Sequence, residues 1–217
     1  MSFSNLEHLE TPIALQFRQV ARIMQQRHAL QNTRSAFYVQ IGSFDAHGDS
    51  ALGWTGTMLS DTNAALQCFV NDMKTQGIWN DVTIVSSSEF GRTLTSNGMG
   101  SDHAWGGNHF IAGGSGKTLI LTFPLNVVLE IFEHMICSPW FLSVAGSKIH
   151  GQYPDDVSES SPLNLGRGRL IPTTSWEGLW LGISEWMGVE VDQINTVLPN
   201  LGSFTNNVFG KDDLYNV

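Results

Sequence analysis

The chain has 217 residues, of which 41% are hydrophobic and 10% aromatic, enough apolar side chain for one buried core and too much for a disordered segment. Twenty acidic side chains against eleven basic ones give a formal net charge of -9, which argues against a nucleic-acid groove, because phosphate contacts need clustered Lys and Arg. Cys68 and Cys137 form neither a metal-ligand spacing nor a disulfide framework, and Cys68 falls in a helical pattern that suits a buried thiol.

In chain order, residues 1–11 carry neither the basic start nor the apolar run of an export signal. Over residues 6–30, Ile13, Phe17, Val20 and Met24 recur at helical spacing, and Thr11 and Pro12 suit an N-cap and first helical position. Residues 35–44 are rich in Phe, Tyr, Val and Ile without helical period, which predicts a buried strand ending near Gly42 and Asp45. A second helix is expected over 57–76, with Leu59, Leu66, Phe69 and Met73 as its stripe and Gly77 as its stop. Val82, Ile84 and Val85 then predict a strand over 81–87, which runs into a polar, Gly-containing stretch at 88–107.

Further on, a strand is expected at 109–112, a Gly/Pro/Ser-rich stretch at 151–172 and a helix at 174–186 closed by Gly188. The apolar run at 119–144 is broken by Pro124, Glu130, Glu133, His134 and Pro139, whereas a membrane span needs about 20 mostly apolar residues. It is therefore read as non-spanning. Strand, helix and strand with polar exits predict an α/β domain with a largely parallel sheet, whose ligands sit beyond the carboxyl ends of the strands.

Chemistry-bearing residues gather at those expected exits. Asp45 and His47, two residues apart after the first strand, can reach one cation from an extended or turning backbone, although an Asp there also suits a turn cap. Glu89 can ligate a metal or accept a proton, and Arg92 can hold an anionic oxygen pair, although the two also suit a surface ion pair. Asp102, His103 and His109 add a carboxylate and two imidazoles in a Gly-rich stretch. Convergence of Asp, Glu and His is what a divalent cation requires.

Five ordered motifs carry a resemblance: Phe44-Asp45-Ala46-His47, Ser88-Glu89-Phe90-Gly91-Arg92-Thr93, Ser101-Asp102-His103 with Gly107-Asn108-His109, His150-Gly151-Gln152-Tyr153-Pro154, and the run from Gly166 to Ser175. Together they resemble the C-terminal half of the DUF1501 family, a branch of the alkaline phosphatase and sulfatase superfamily. The resemblance covers about residues 6–204 as one domain over 1–217. It implies an alkaline-phosphatase-like three-layer α/β sandwich with a mostly parallel sheet, incomplete at its N-terminus. It also implies a hydrolase acting on a small phosphate or sulfate ester, with a divalent metal, Zn, Mn, Mg or Ca, as cofactor.

Carried over residue by residue, the resemblance implies Asp45, His47, Glu89, Asp102, His103 and His109 as metal ligands and Glu89 and Arg92 as catalytic groups. Arg92, Arg167 and Arg169 are the implied anion-binding residues. The implied nucleophile and the export signal of exported relatives belong to a segment this chain lacks. The pattern departs at two places: Ala46 alone separates Asp45 from His47, and Phe90 stands where an imidazole is expected.

Residues 113–118 end like a P-loop at Lys117 and Thr118, but Ile111 occupies the place of the leading Gly, and the sequence that follows is not a helix start. Residues 116–144 have no counterpart in the family pattern and are expected to be either an insertion or translated non-coding sequence. Two other readings stand beside the hydrolase: a non-catalytic remnant or binding module, and a P-loop nucleotide binder. Nucleic acid and a membrane span are not expected.

Overall fold

The structure, a computed structural model, describes residues 9–48, 51–114, 119–121, 148–204 and 206–215, the side chains of residues 51, 52, 119–121 and 148 excepted. Part of the P-loop-like run and most of the 116–144 segment lie outside the described residues, as does the start of the expected first helix.

Helix α1, Pro12–Gln25, begins with Thr11 as N-cap and Pro12 in the first turn, and buries Ile13, Phe17 and Ala21. Helix α2, Ala51–Thr75, packs against it, and Phe17 meets Phe69 with ring centroids 5.0 Å apart. Gly77, at φ +70, ends α2 as the sequence predicts, with Ile78 N–H donating to Met73 O. A short 3-10 turn, Trp79–Asp81, leads to strand β1, Thr83–Val85.

Strands β2, Gly91–Ser96, and β3, Ser101–Ala104, form an antiparallel hairpin. Strand β4, His109–Gly113, then returns antiparallel to β1 and pairs on its other side with β5, Leu119–Leu121. Strand β6, Lys148–His150, closes a four-stranded sheet of order β1-β4-β5-β6. Helix α3, Trp176–Trp186, follows, capped by the Ser175 side chain and closed at Gly188. The short helices α4, Ile194–Val197, and α5, Lys211–Leu214, complete the chain.

Alternation along β4 organises the core. Phe110 and Ala112 join the cluster built by α1 and α2, whereas Ile111 joins Leu179, Ile183, Leu214 and Tyr215 on the other side. No described helix is long and apolar enough to cross a membrane.

The expected three-layer sandwich with a mostly parallel sheet is not what forms. The four-stranded sheet has one parallel pair, β5 with β6, and its other two pairings are antiparallel. The reason lies between β1 and β4. A parallel neighbour needs a crossover of a dozen or more residues, usually a helix, and residues 86–108 instead fold as the β2–β3 hairpin with its flanks. The strand expected at 35–44 is also absent. That segment has no regular secondary structure, Tyr38 is 79% exposed, and no strand pairs with it among the described residues. Gln16 of α1 takes the place of a neighbouring strand at one point: its carboxamide accepts from Gln40 N–H at 2.9 Å and donates to Gln40 O at 2.7 Å.

Candidate metal centre

The hairpin determines which side chains meet. Arg92 and His103 are register partners across β2 and β3 and therefore share a face. Phe90, two residues before Arg92, lies on the same side and stacks on the His103 ring, with centroids 3.9 Å apart and planes 6° from parallel. The Arg92 guanidinium carbon stands 5.0 Å from the centre of the Phe90 ring.

The segment carrying Asp45 and His47 is laid across this hairpin by its backbone. Ser101 N–H donates to Ala46 O at 3.1 Å, Asn97 Nδ2 donates to His47 O at 3.1 Å, and Arg92 Nη2 donates to Phe44 O. Gly100 permits the approach, because a Cβ there would stand 2.0 Å from Ala46 O.

Asp45 is thereby brought between two imidazoles. Its Oδ1 lies 2.7 Å from His103 Nε2 and 3.2 Å from Arg92 Nη2, and its Oδ2 lies 2.8 Å from His47 Nε2. One ligand atom from each of Asp45, His47 and His103 falls within 4.8 Å of the others. The three side chains are about half exposed, at 45%, 53% and 49%, so a hydrated ion has access. His103 foremost, with Arg92 and His47, holds the Asp45 carboxyl below the usual carboxylate range, against a smaller opposing effect of partial desolvation.

The other residues singled out in the sequence are placed differently. Asp102, next along β3, pairs with Arg167 Nη2 at 2.7 Å and accepts from Asn97 Nδ2 at 2.9 Å; the Asn97 bond, then Arg167, hold its carboxyl low, against partial desolvation. Glu89 is exposed and lies outside the three-residue group. His109 packs on Trp176 at 4.6 Å, and burial pushes its imidazole down to about 4. Arg169 bonds its own turn, through Gly166 O at 3.0 Å and Leu165 O at 3.2 Å. Arg92 holds the Asp45 segment in place, bonding Ser101 O at 2.7 Å as well as Phe44 O.

Phe90, Asn97 and Gly100 were not anticipated as parts of this arrangement. A signal for the hairpin was present, because Asn97-Gly98 is a strong turn dipeptide between two strand-length runs.

A short mixed sheet with helices, and beside it a hairpin whose His103 meets Asp45 and His47 of the segment docked across it, defines a protein with a candidate metal centre. Residues 7–118 match the family described as "Protein of unknown function (DUF1501)", and the chain belongs to that family. No curated protein and no solved structure matches the chain.

Proposed function

We propose that Asp45, His47 and His103 hold a divalent cation and that the chain is a metal-dependent, hydrolase-like protein directed at small phosphate or sulfate esters. The observation that carries this reading is the convergence of two imidazole nitrogens on one carboxylate, with all three ligand atoms within 4.8 Å. The donor chemistry fits. Tetrahedral ligation at about 2.0–2.1 Å separates ligand atoms by roughly 3.3 Å, a few tenths of an ångström beyond the hydrogen-bonded contacts described above. Two nitrogens and one oxygen suit Zn better than Mg or Ca, which take oxygen ligands.

Three protein ligands leave a coordination position open, as catalytic rather than structural sites do. A cation held by these three residues would supply Lewis acidity for displacement at phosphorus or sulfur. The chain's own residues keep the ligands aimed: Phe90 fixes the His103 ring plane, and Arg92 holds the Asp45 carboxylate and the backbone on either side of the group. The ester class rests on the ordered motifs, not on the sheet topology.

One observation favours a second reading, a binding module without turnover: Glu89, the expected acid–base group, is exposed and outside the group. Elemental analysis of the purified chain after zinc or manganese loading, with aryl phosphate and aryl sulfate assays, tests both. About one equivalent of metal, lost in His103→Ala and Asp45→Asn, is expected for a single three-ligand centre. Metal with turnover supports the hydrolase, metal without turnover assigns the module, and no uptake by the parent chain removes the centre.

A further inference from the structure

The sequence motifs single out three arginines, Arg92, Arg167 and Arg169, and their surroundings separate them. Arg92 has a side chain only 10% exposed, and three of its donors are taken by two backbone carbonyls and Asp45. Arg169 bonds the carbonyls of its own turn. Arg167 differs from both. Its side chain is 52% exposed, and among the described residues its guanidinium makes one contact, from Nη2 to Asp102 Oδ2 at 2.7 Å. A guanidinium carries five donors in a planar fork, so most of that fork faces outward.

The backbone beneath Arg167 is held in a conformation that side chains with a Cβ seldom adopt. Gly166, Arg167 and Gly168 are successive left-handed residues, at φ +85, +59 and +71. Such strain persists only where neighbouring contacts over-determine it, and here they do. Thr95 N–H donates to Arg167 O at 3.3 Å, Leu94 N–H donates to Gly168 O at 3.1 Å, and Arg167 N–H donates to Glu159 Oε2 at 3.2 Å. The turn is thus fastened along β2, the strand that carries Arg92. Its target, Asp102, adjoins His103 in β3 and is bridged by Asn97 to the carbonyl of His47.

We propose that Arg167 is the anion-binding residue of the Asp45, His47 and His103 centre. Its open donor edge takes two oxygens of a tetrahedral phosphate- or sulfate-type group, and Asp102 is the resting partner that aims the guanidinium. This rests on the cation reading above and deepens it, since it names the residue that recognises the oxyanion.

The test uses the full chain loaded with zinc, calorimetric titration with inorganic phosphate, and elemental analysis of the same samples. Arg167→Ala keeps the backbone contacts of the turn, so it is expected to keep its metal and to bind phosphate about tenfold or more weakly, the scale of a lost charge-assisted contact. Arg167→Lys, which keeps the charge without the fork, falls between. Arg169→Ala binds phosphate as the parent does. Zinc-loaded Arg167→Ala with parental phosphate affinity overturns the proposal, as does a zinc-loaded parent that does not bind phosphate. Failure of the parent to take up metal overturns instead the reading beneath it.

Discussion

The rings of Phe90 and His103 lie face to face, 3.9 Å apart and within 6° of parallel, while the far edge of the imidazole presents Nε2 to Asp45 at 2.7 Å. On the proposed cation reading, a ring clamped in one plane loses little freedom on binding an ion, and Phe90 would be one of the groups that support the ligands from behind. Such supports typically cost tenfold or more in metal affinity when removed. Phe90→Leu is therefore expected to weaken zinc binding about tenfold with the circular dichroism spectrum unchanged, and Phe90→Tyr to retain it. A chelator-competition titration checks this; parental affinity in Phe90→Leu would remove the role.

Arg92 supports the same group through the backbone. It joins Phe44 O and Ser101 O, which belong to the two segments that must meet, and reaches Asp45 as well. Hydrogen bonds from a charged donor contribute about 1.5–3 kcal/mol, so Arg92→Ala should lose roughly 2–3 kcal/mol by urea unfolding. Arg92→Lys should recover less than half, because a compact ammonium cannot span both carbonyls. A loss within experimental error in Arg92→Ala would show that the two segments meet without it.

How far these contacts were legible in the sequence differs from residue to residue. Both long helices were readable because α1 and α2 bury an apolar stripe whose period belongs to the chain itself. The segment before Asp45 reads as a strand because Phe37, Tyr38, Val39 and Ile41 have strand composition, and nothing local reports that no described strand pairs with it. The sheet direction differs for a related reason: β1 and β4 are joined through a hairpin, not a helix, and within the polar stretch at 88–107 the Asn97-Gly98 dipeptide is the one local sign of it. Asp45, His47 and His103 stand out in the sequence by residue type. That these three meet while Asp102, next to His103, stays outside the group is not legible there, because it depends on the pairing of Arg92 with His103 and on alternation along β3.

His109 provides a pH signature distinct from that of the centre. The folded chain keeps this imidazole neutral down to about pH 4, whereas an unperturbed imidazole takes a proton near 6.5. Between those values the unfolded state binds more protons, so stability rises with pH across that window and is lost as pH falls through it. The full effect is up to about 3 kcal/mol. Asp45, whose carboxyl is held low, acts in a lower range: its contribution is present above the unfolded carboxylate value near 4 and is lost as pH falls through its own depressed value. Thermal unfolding from pH 7 to pH 4 should show the decline, and His109→Phe, which can still pack on Trp176, should flatten it. An unchanged slope in that variant would assign the decline to another group.

Two glycine replacements test whether the assembly of the centre depends on one close approach. At Gly56, within α2, an added Cβ meets nothing within 4 Å, so Gly56→Ala should stabilise by up to about 1 kcal/mol through helix propensity. At Gly100 the same methyl would stand 2.0 Å from Ala46 O and 2.9 Å from its carbonyl carbon. Backbone cannot yield there without breaking the Ser101 N–H bond to Ala46 O and moving Asp45 and His47 off the hairpin. Overpacking of this kind costs about 1–3 kcal/mol. Gly100→Ala should therefore lower the unfolding midpoint and weaken zinc binding together, where Gly56→Ala raises the midpoint and leaves zinc binding alone. Full zinc affinity in Gly100→Ala would mean that the two ligands before α2 reach His103 without docking on the turn, and the hairpin would lose its place as the platform of the centre.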